Sequence, residues 1–226
     1  MTATADEVRT FQLLLIKPSH YDDEGYVIQW WRSSLPSNSL ATVYGIAEDC
    51  IAKKPLGPGV DIQIQVMDET NTRVRPDRLI RDIRRTHGQG LVCMVGVQSN
   101  QFPRAVDLAR QFRAADRPVV IGGFHVSGCL AMLNEMPSDL KEAQEAGISL
   151  FAGELEGRLD GLLQKVQRAH DEKHGELLNQ LRQLFDGLAE ELSAHLLKEE
   201  QIVFPAIKGI DAFMSGTGPR PVVHCG

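Results

Sequence analysis

The sequence has few of the features that define several common protein classes. Its four cysteines contain no CxxC pair, so we expect neither a disulfide scaffold nor an iron–sulfur site built from this chain alone. No apolar run approaches the ~20 residues of a membrane span, and residues 1–10 lack the regions of a signal peptide. The net charge of −6 argues against a nucleic-acid or anionic-membrane partner. We therefore expect a cytoplasmic protein with reduced cysteines, of which Cys50, Cys93 and Cys129 pack as small apolar groups.

The motifs of the common α/β enzymes are absent as well. The first apolar run is not followed by GxGxxG, and the chain contains neither GxxxxGK[ST] nor GxSxG. The position where a receiver domain carries an aspartate reads Gly-Val-Gln. These absences argue against a simple nucleotide as the ligand. The basic residues Arg81, Arg84 and Arg85 recur at helical spacing and are interpreted as a solvated helix face.

What the sequence does contain is an alternation of short apolar runs with helical patterns. The apolar runs are Phe11–Ile16, Val60–Met67, Leu91–Val97, Val119–Ile121 and Ile148–Phe151. Helical patterns lie between them at about 38–53, 76–86, 102–114 and 138–146, with Asn38 as a candidate N-cap of the first. Continuous apolar runs are typical of strands that are buried on both faces. The order predicts an α/β fold, a doubly wound five-stranded parallel sheet of the flavodoxin type.

In such sheets a ligand binds outside the carboxyl ends of the strands. Small and amide-bearing residues gather there, and glycine lets a bulky ligand approach the backbone. The alternative is that the glycines only turn tight strand-to-helix loops. The candidate ligand-binding residues at these strand ends are Ser19, His20, Gly96, Gln98, Ser99, Asn100, Gly122, Gly123, His125, Gly153 and Glu154.

Four short stretches in this region resemble one known family. They are Lys17-Pro18-Ser19, Val66–Thr70, Gly122–His125 and Phe151–Glu154. In order and spacing, segment 11–165 resembles the N-terminal cobalamin-binding domain of cobalamin-dependent radical-SAM proteins. The resemblance implies a corrinoid that lies across the strand ends, with its nucleotide tail inserted beside the sheet.

Two motifs that often accompany this domain are missing. The DxHxxG motif, whose histidine ligates cobalt, does not occur, because His20 precedes Asp22 and Gly25 in the wrong order. The CxxxCxxC motif is absent too, and with it the catalytic barrel. We therefore expect no radical chemistry from this chain. Two interpretations of His125 stay open: it faces the corrin, or it forms hydrogen bonds within its own loop.

Beyond Leu159 the pattern changes to long helices. Leucines 177, 181, 184, 188 and 192 form an amphipathic stripe, which His195 and Glu199 continue. A histidine and a carboxylate at i, i+4 on a core-facing stripe are well placed to bind one metal ion. The alternative is a helix end that leaves the core, with both side chains in water.

The string from His195 to Ile207 resembles the hemerythrin-like domain of di-iron iron–sulfur-cluster repair proteins, as does the segment from Val166 to His174. The resemblance implies that His195 and Glu199 are iron ligands and His170 a conditional one, whereas Glu200 faces solvent. It covers only part of that family's ligand set. A complete di-iron site would need ligands from elsewhere, for which a homodimer through the leucine stripe is one source.

These patterns divide the chain into a disordered N-terminus (1–10), a cobalamin-binding α/β domain (11–165) and a partial hemerythrin-like helical segment (166–226). The first hypothesis is a corrinoid-binding module without catalytic activity of its own, which acts with a separate catalytic subunit. The second is an iron-binding component of iron–sulfur-cluster repair or of an oxygen or nitric oxide response. The third is an inactive fusion of two truncated genes.

Overall fold

The computed structural model describes residues 8–31, 37–85 and 89–172, together with Lys208 and Ser215. A five-stranded parallel sheet with the order β2-β1-β3-β4-β5 forms its centre. This is the flavodoxin-type order, so the predicted fold class is confirmed. The strands are β1 (Arg9–Lys17), β2 (Val60–Asp68), β3 (Gln89–Met94), β4 (Val119–Gly122) and β5 (Ser149–Phe151).

The central strands are buried on both faces because successive side chains alternate between two apolar clusters. In β1, Leu14 and Ile16 belong to one cluster, whereas Leu13 and Leu15 belong to the other. All six residues of β3 are buried. This double burial explains why these strands read as continuous apolar runs in the sequence.

Helices cover both faces of the sheet. Helices α2, α3, α4 and α5 contribute buried residues to one cluster, and α1 and α6 to the other. The last helix packs onto the sheet through Leu159, Leu162, Leu163 and Val166, so it crosses the expected boundary between residues 165 and 166. The helices are α1 (Asn38–Ala52), α2 (Pro76–Arg85), α3 (Phe102–Ala114), α4 (Phe124–Met132), α5 (Ser138–Glu145) and α6 (Leu159–Glu172).

The structure differs from the sequence-based expectation in three places. Helix α4 was not predicted, because its sequence contains Gly128 and buries only Val126, so it has no apolar periodicity. Strand β1 begins at Arg9, inside the segment expected to be disordered. The N-cap of α1 is Ser37, whose hydroxyl accepts a hydrogen bond from the Leu40 amide, rather than Asn38. Among the described residues, no helix has the length and apolar character needed to cross a membrane.

Candidate functional site

A cavity of about 420 Å³ lies at the carboxyl ends of the strands, on the face covered by α1 and α6. Strands β1 and β3 are adjacent in the sheet but not in sequence, so the chain reverses direction across the sheet between them. In doubly wound folds this switch point is where ligands bind. Leu15 of β1 and Val95, which follows β3, both line the cavity. Its volume is within the range of small-molecule sites, about 300–1,000 Å³.

The lining of the cavity is mainly apolar, with a smaller polar part. Leu15, Val120 and Phe151 of the sheet face Ile46 of α1 and Leu162 of α6 across it. The same cavity is also lined by polar side chains, which are Asn38, Ser39 and Thr42 of α1 and the carboxylates of Glu154 and Glu156. A ligand with a flat apolar part and a polar part would match this distribution.

The cysteine in the wall of this cavity is Cys93. It is a free thiol, and its burial raises its pKa to about 12. The thiol therefore stays protonated at neutral pH and contributes to the wall as a small apolar group. Cys50 and Cys129 are free as well, as the sequence predicts.

Five of the predicted ligand-binding residues line the cavity: Gly96, Gly122, Gly123, Gly153 and Glu154. Two of these glycines also have a packing role. A Cβ on Gly123 (φ +142°) would come within 2.7 Å of the carbonyl carbon of Gly96, and one on Gly96 (φ +65°) within 2.7 Å of the Cβ of Ser39. Close loop packing therefore accounts for these two glycines, and the packing brings the strand ends together around the cavity.

Ser19 and His20 are not among the residues that line the cavity. Ser19 is fully buried: its amide donates to a carboxylate oxygen of Glu69 at 3.1 Å, and its hydroxyl donates to the carbonyl of Ile28. The carbonyl of His20 accepts from the Ile28 amide at 2.9 Å. These bonds fold the segment after β1 back along itself, so both residues shape the loop beside the cavity.

Glu69 is the centre of a buried polar network that no motif in the sequence indicates. Its side chain is 1% exposed and forms a two-oxygen ion pair with Arg104, the closest N···O distance being 2.6 Å. Arg104 also donates to the hydroxyl of Tyr21 at 3.3 Å, and that hydroxyl donates to Asp107 at 2.6 Å. The network joins the loops after β1 and β2 to helix α3.

The pKa values of this network follow from burial and hydrogen bonding. Burial alone lowers the pKa of Arg104, but its hydrogen bonds to Glu69 and Tyr21 and their charges outweigh burial, so the pKa is raised. Burial and the hydrogen bond to Asp107 raise the pKa of Tyr21. At neutral pH Arg104 is therefore charged and Tyr21 is neutral.

His125 forms hydrogen bonds within the strand-end loops and does not line the cavity. Its Nδ1 lies 3.1 Å from the hydroxyl oxygen of Ser99, and its Nε2 lies 3.0 Å from a carboxylate oxygen of Asp139. Its ring also packs against Phe102, with 4.4 Å between the ring centroids. These contacts are the local hydrogen bonds that the second interpretation of His125 expects.

Gln98, Ser99 and Asn100 are exposed on the turn between β3 and α3 and do not line the cavity. A neighbouring residue that was not predicted, Gln101, is buried there. Its side-chain amide donates to the carbonyl of Pro18 at 3.0 Å, and its side-chain oxygen accepts from the Gln98 amide. Because the Gln101 side chain bonds to the loop after β1 and to the turn after β3, it holds the ends of these two strands in place.

Of the three predicted metal ligands, only His170 lies within the described residues, and His195 and Glu199 lie outside them. His170 is half-buried on α6, with its Nε2 3.4 Å from the carbonyl oxygen of Gly90. Metal-binding histidines commonly donate their second ring N–H to such a carbonyl, so this environment fits a ligand. Over the described ranges, no three His, Cys, Asp or Glu residues cluster in a way that could hold a metal ion.

Comparison with known proteins concerns the C-terminal part of the chain. Residues 153–220 match the family model of the hemerythrin HHE cation binding domain. The match supports the hemerythrin-like segment and a metal-binding role for it. It starts at the carboxyl end of β5 and includes α6, which also packs onto the sheet. No curated protein matches the chain.

Proposed function

We propose that the α/β part of this chain is a corrinoid-binding module, in which the cavity beside the sheet takes the nucleotide tail of cobalamin. The observation that carries the proposal is the 420 Å³ cavity at the β1/β3 switch point, with a mainly apolar lining and a few polar groups. The cavity is too small for the whole cofactor. The corrin ring would therefore lie over the strand-end loops, and only the tail would enter.

The residues around the cavity fit this group in shape and chemistry. The benzimidazole base of the tail is flat and largely apolar, and Leu15, Val120 and Leu162 give the cavity apolar walls. The ribose and phosphate would meet Ser39 and Thr42 in the first turns of α1, where hydroxyl groups and the helix dipole favour an anion. Bound cobalamin supplies cobalt-centred methyl-transfer or redox chemistry, and this chain would hold and orient the cofactor for a separate catalytic subunit.

Two exposed positions on α1 provide a test of the tail pocket. Thr42 lines the cavity and its neighbour Ala41 does not, so Thr42→Trp should fill the pocket whereas Ala41→Trp should leave it open. We expect Thr42→Trp to weaken hydroxocobalamin binding by about tenfold or more, and Ala41→Trp to change it by less than about twofold. Binding is measured by titration followed through the visible absorbance of the corrin, on protein separated from free cofactor by gel filtration.

Cobinamide, which lacks the nucleotide tail, distinguishes this pocket from loose binding of the corrin ring. If the tail enters the cavity, cobinamide should bind at least about tenfold more weakly than cobalamin, and Thr42→Trp should hardly affect it. Equal binding of the two corrinoids would contradict the assignment of the pocket. If neither is retained, the chain is not a corrinoid-binding module.

We propose a second function for the C-terminal part, iron binding through His195 and Glu199 with His170 as a further ligand. The match of residues 153–220 to a cation-binding domain favours it. These three side chains leave an iron ion under-coordinated, so we also propose that a second copy of the chain supplies the remaining ligands. When bound, iron would supply oxygen- or nitric oxide-linked redox chemistry.

Neighbouring glutamates provide the matched pair for this site. After anaerobic loading with Fe²⁺ and desalting, Glu199→Gln should lower iron affinity by about tenfold or more, because it replaces a carboxylate ligand by a weaker amide one. Glu200→Gln should retain the iron content of the unaltered protein. Iron is measured by elemental analysis and the oligomeric state by light scattering. Equal iron loss in both variants, or in neither, would contradict the assignment of Glu199.

A further inference from the structure

A second cavity, of about 710 Å³, lies on the other side of the sheet from the corrinoid pocket. It is bounded by Val27 and Gln29 of the loop after β1, by the segment between β2 and α2, and by Arg104 and Gln111 of α3. Beneath it, Val74 and Leu79 belong to the apolar cluster of the α2–α5 face. The corrinoid pocket is lined from the α1 and α6 face, so the two cavities are separate.

The charge of this second cavity is strongly positive in a chain whose net charge is −6. Arg73, Arg75, Arg78 and Arg81 line it, and Asp77 is the acidic residue that lies among them. The other two charged residues in the lining cancel each other, because Arg104 is paired with the buried Glu69. The lining therefore contains five arginines against two acidic residues, which is an excess of three positive charges.

Most of this positive charge has no partner in the described part of the chain. Among the described residues, the side chains of Arg73, Arg75 and Arg81 form no hydrogen bond or ion pair, and all three are exposed. Arg78 has only a loose contact with Asp82, at 3.9 Å between two exposed side chains. Such an exposed ion pair contributes little to the stability of the protein. Four guanidinium groups around one hollow repel one another, and an anion bound between them would relieve that repulsion.

We propose that this cavity binds a small organic anion with two or more phosphate or carboxylate groups. Guanidinium groups match both anions because their planar N–H donors can form paired hydrogen bonds to two oxygens. The first turn of α2, which begins at Pro76, adds the positive end of the helix dipole on the same side. A concave site of this volume fits a compact molecule and not the groove of a nucleic acid.

Helix α2 provides a control variant with an identical change of charge. Arg75→Gln/Arg81→Gln removes two arginines from the cavity, whereas Arg84→Gln/Arg85→Gln removes two that lie outside its lining. Pyrophosphate and citrate are titrated separately by calorimetry at low salt. We expect the first double variant to bind whichever of the two anions the unaltered protein prefers at least about tenfold more weakly. The affinity of the control variant for that anion should stay within about twofold of the unaltered protein's affinity. The two titrants distinguish a phosphate ligand from a carboxylate ligand.

Arg75→Lys/Arg81→Lys keeps the charge and removes the planar donors, so it should restore only part of the affinity. Three results would overturn the proposal: no binding of either anion, equal loss in the cavity and control variants, or tighter binding of duplex DNA than of either anion. The experiment uses no corrinoid and no iron, so its result does not depend on the functions proposed above. Thermal melting of each variant checks that it remains folded.

Discussion

Replacing Glu69 by glutamine should lower the free energy of unfolding by about 3–5 kcal/mol, which is the usual cost of removing one partner of a buried ion pair. Glu69 is 1% exposed, and its carboxylate accepts from the Ser19 amide and from two nitrogens of Arg104. A neutral amide leaves the half-buried guanidinium without its counter-charge. It also replaces one acceptor oxygen by a donor that faces other donors. Urea denaturation followed by circular dichroism measures the change.

Two further variants show whether the cost comes from the buried charge. The exposed ion pairs of Asp82 with Arg78 and Arg85 are the control, and Asp82→Asn should cost less than about 1 kcal/mol. Glu69→Gln/Arg104→Met should be more stable than Glu69→Gln alone, because the double variant no longer buries an unpaired charge. A loss below about 1 kcal/mol for Glu69→Gln would show that the pair contributes no more than a surface ion pair.

The sequence was sufficient to predict the sheet because its signal is local. Each strand is a short apolar run between polar turns, and the residue order of a doubly wound fold then restricts the topology. Helix α4 escaped prediction for the same reason. Its nine residues follow two glycines, include Gly128 and bury only Val126, so neither apolar periodicity nor an N-cap side chain indicates a helix. Contact with the sheet, which is a non-local effect, stabilises it.

The candidate site was predictable only at the strand ends. The rule that ligands bind beyond the carboxyl ends of parallel strands correctly indicates that Gly96 and Gly122 lie at a cavity. The opposite wall comes from Ile46 and Leu162, which are remote in sequence and which no local pattern connects. The role of Glu69 was missed because a single acidic residue after a strand usually faces solvent, and its burial depends on Arg104 of α3.

The structure also separates His170 from the cavity proposed for the corrinoid tail. That cavity lies at the carboxyl end of β3, beside Gly96, whereas His170 contacts the carbonyl of Gly90 near the opposite end of that strand. At a strand rise of about 3.3 Å per residue, these two positions are about 20 Å apart. His170 therefore lies outside this cavity, and a substitution of His170 tests the proposed iron binding without changing the cavity lining.

Replacing Gly123 by alanine should lower the free energy of unfolding by about 2–6 kcal/mol, because backbone strain and steric overlap add. Gly123 has φ +142°, and a Cβ there would lie 2.8 Å from the carbonyl oxygen of Val97 and closer still to its amide nitrogen. That backbone cannot move freely, since the Val97 amide donates to Gly122 and its carbonyl accepts from His125. The loop would have to open, and opening it would also deform the corrinoid pocket.

Gly25 is the matched control, because it too has a positive φ (+86°) but a Cβ there would meet no atom within 4 Å. Gly25→Ala should therefore cost only the conformational term, about 1–2 kcal/mol. Urea denaturation of both variants separates strain from overlap, and a cobalamin titration should show weaker binding for Gly123→Ala than for Gly25→Ala. Equal free energies of unfolding for the two variants would mean that the loop after β4 can move to accommodate the added Cβ. Close packing would then not explain why position 123 is a glycine.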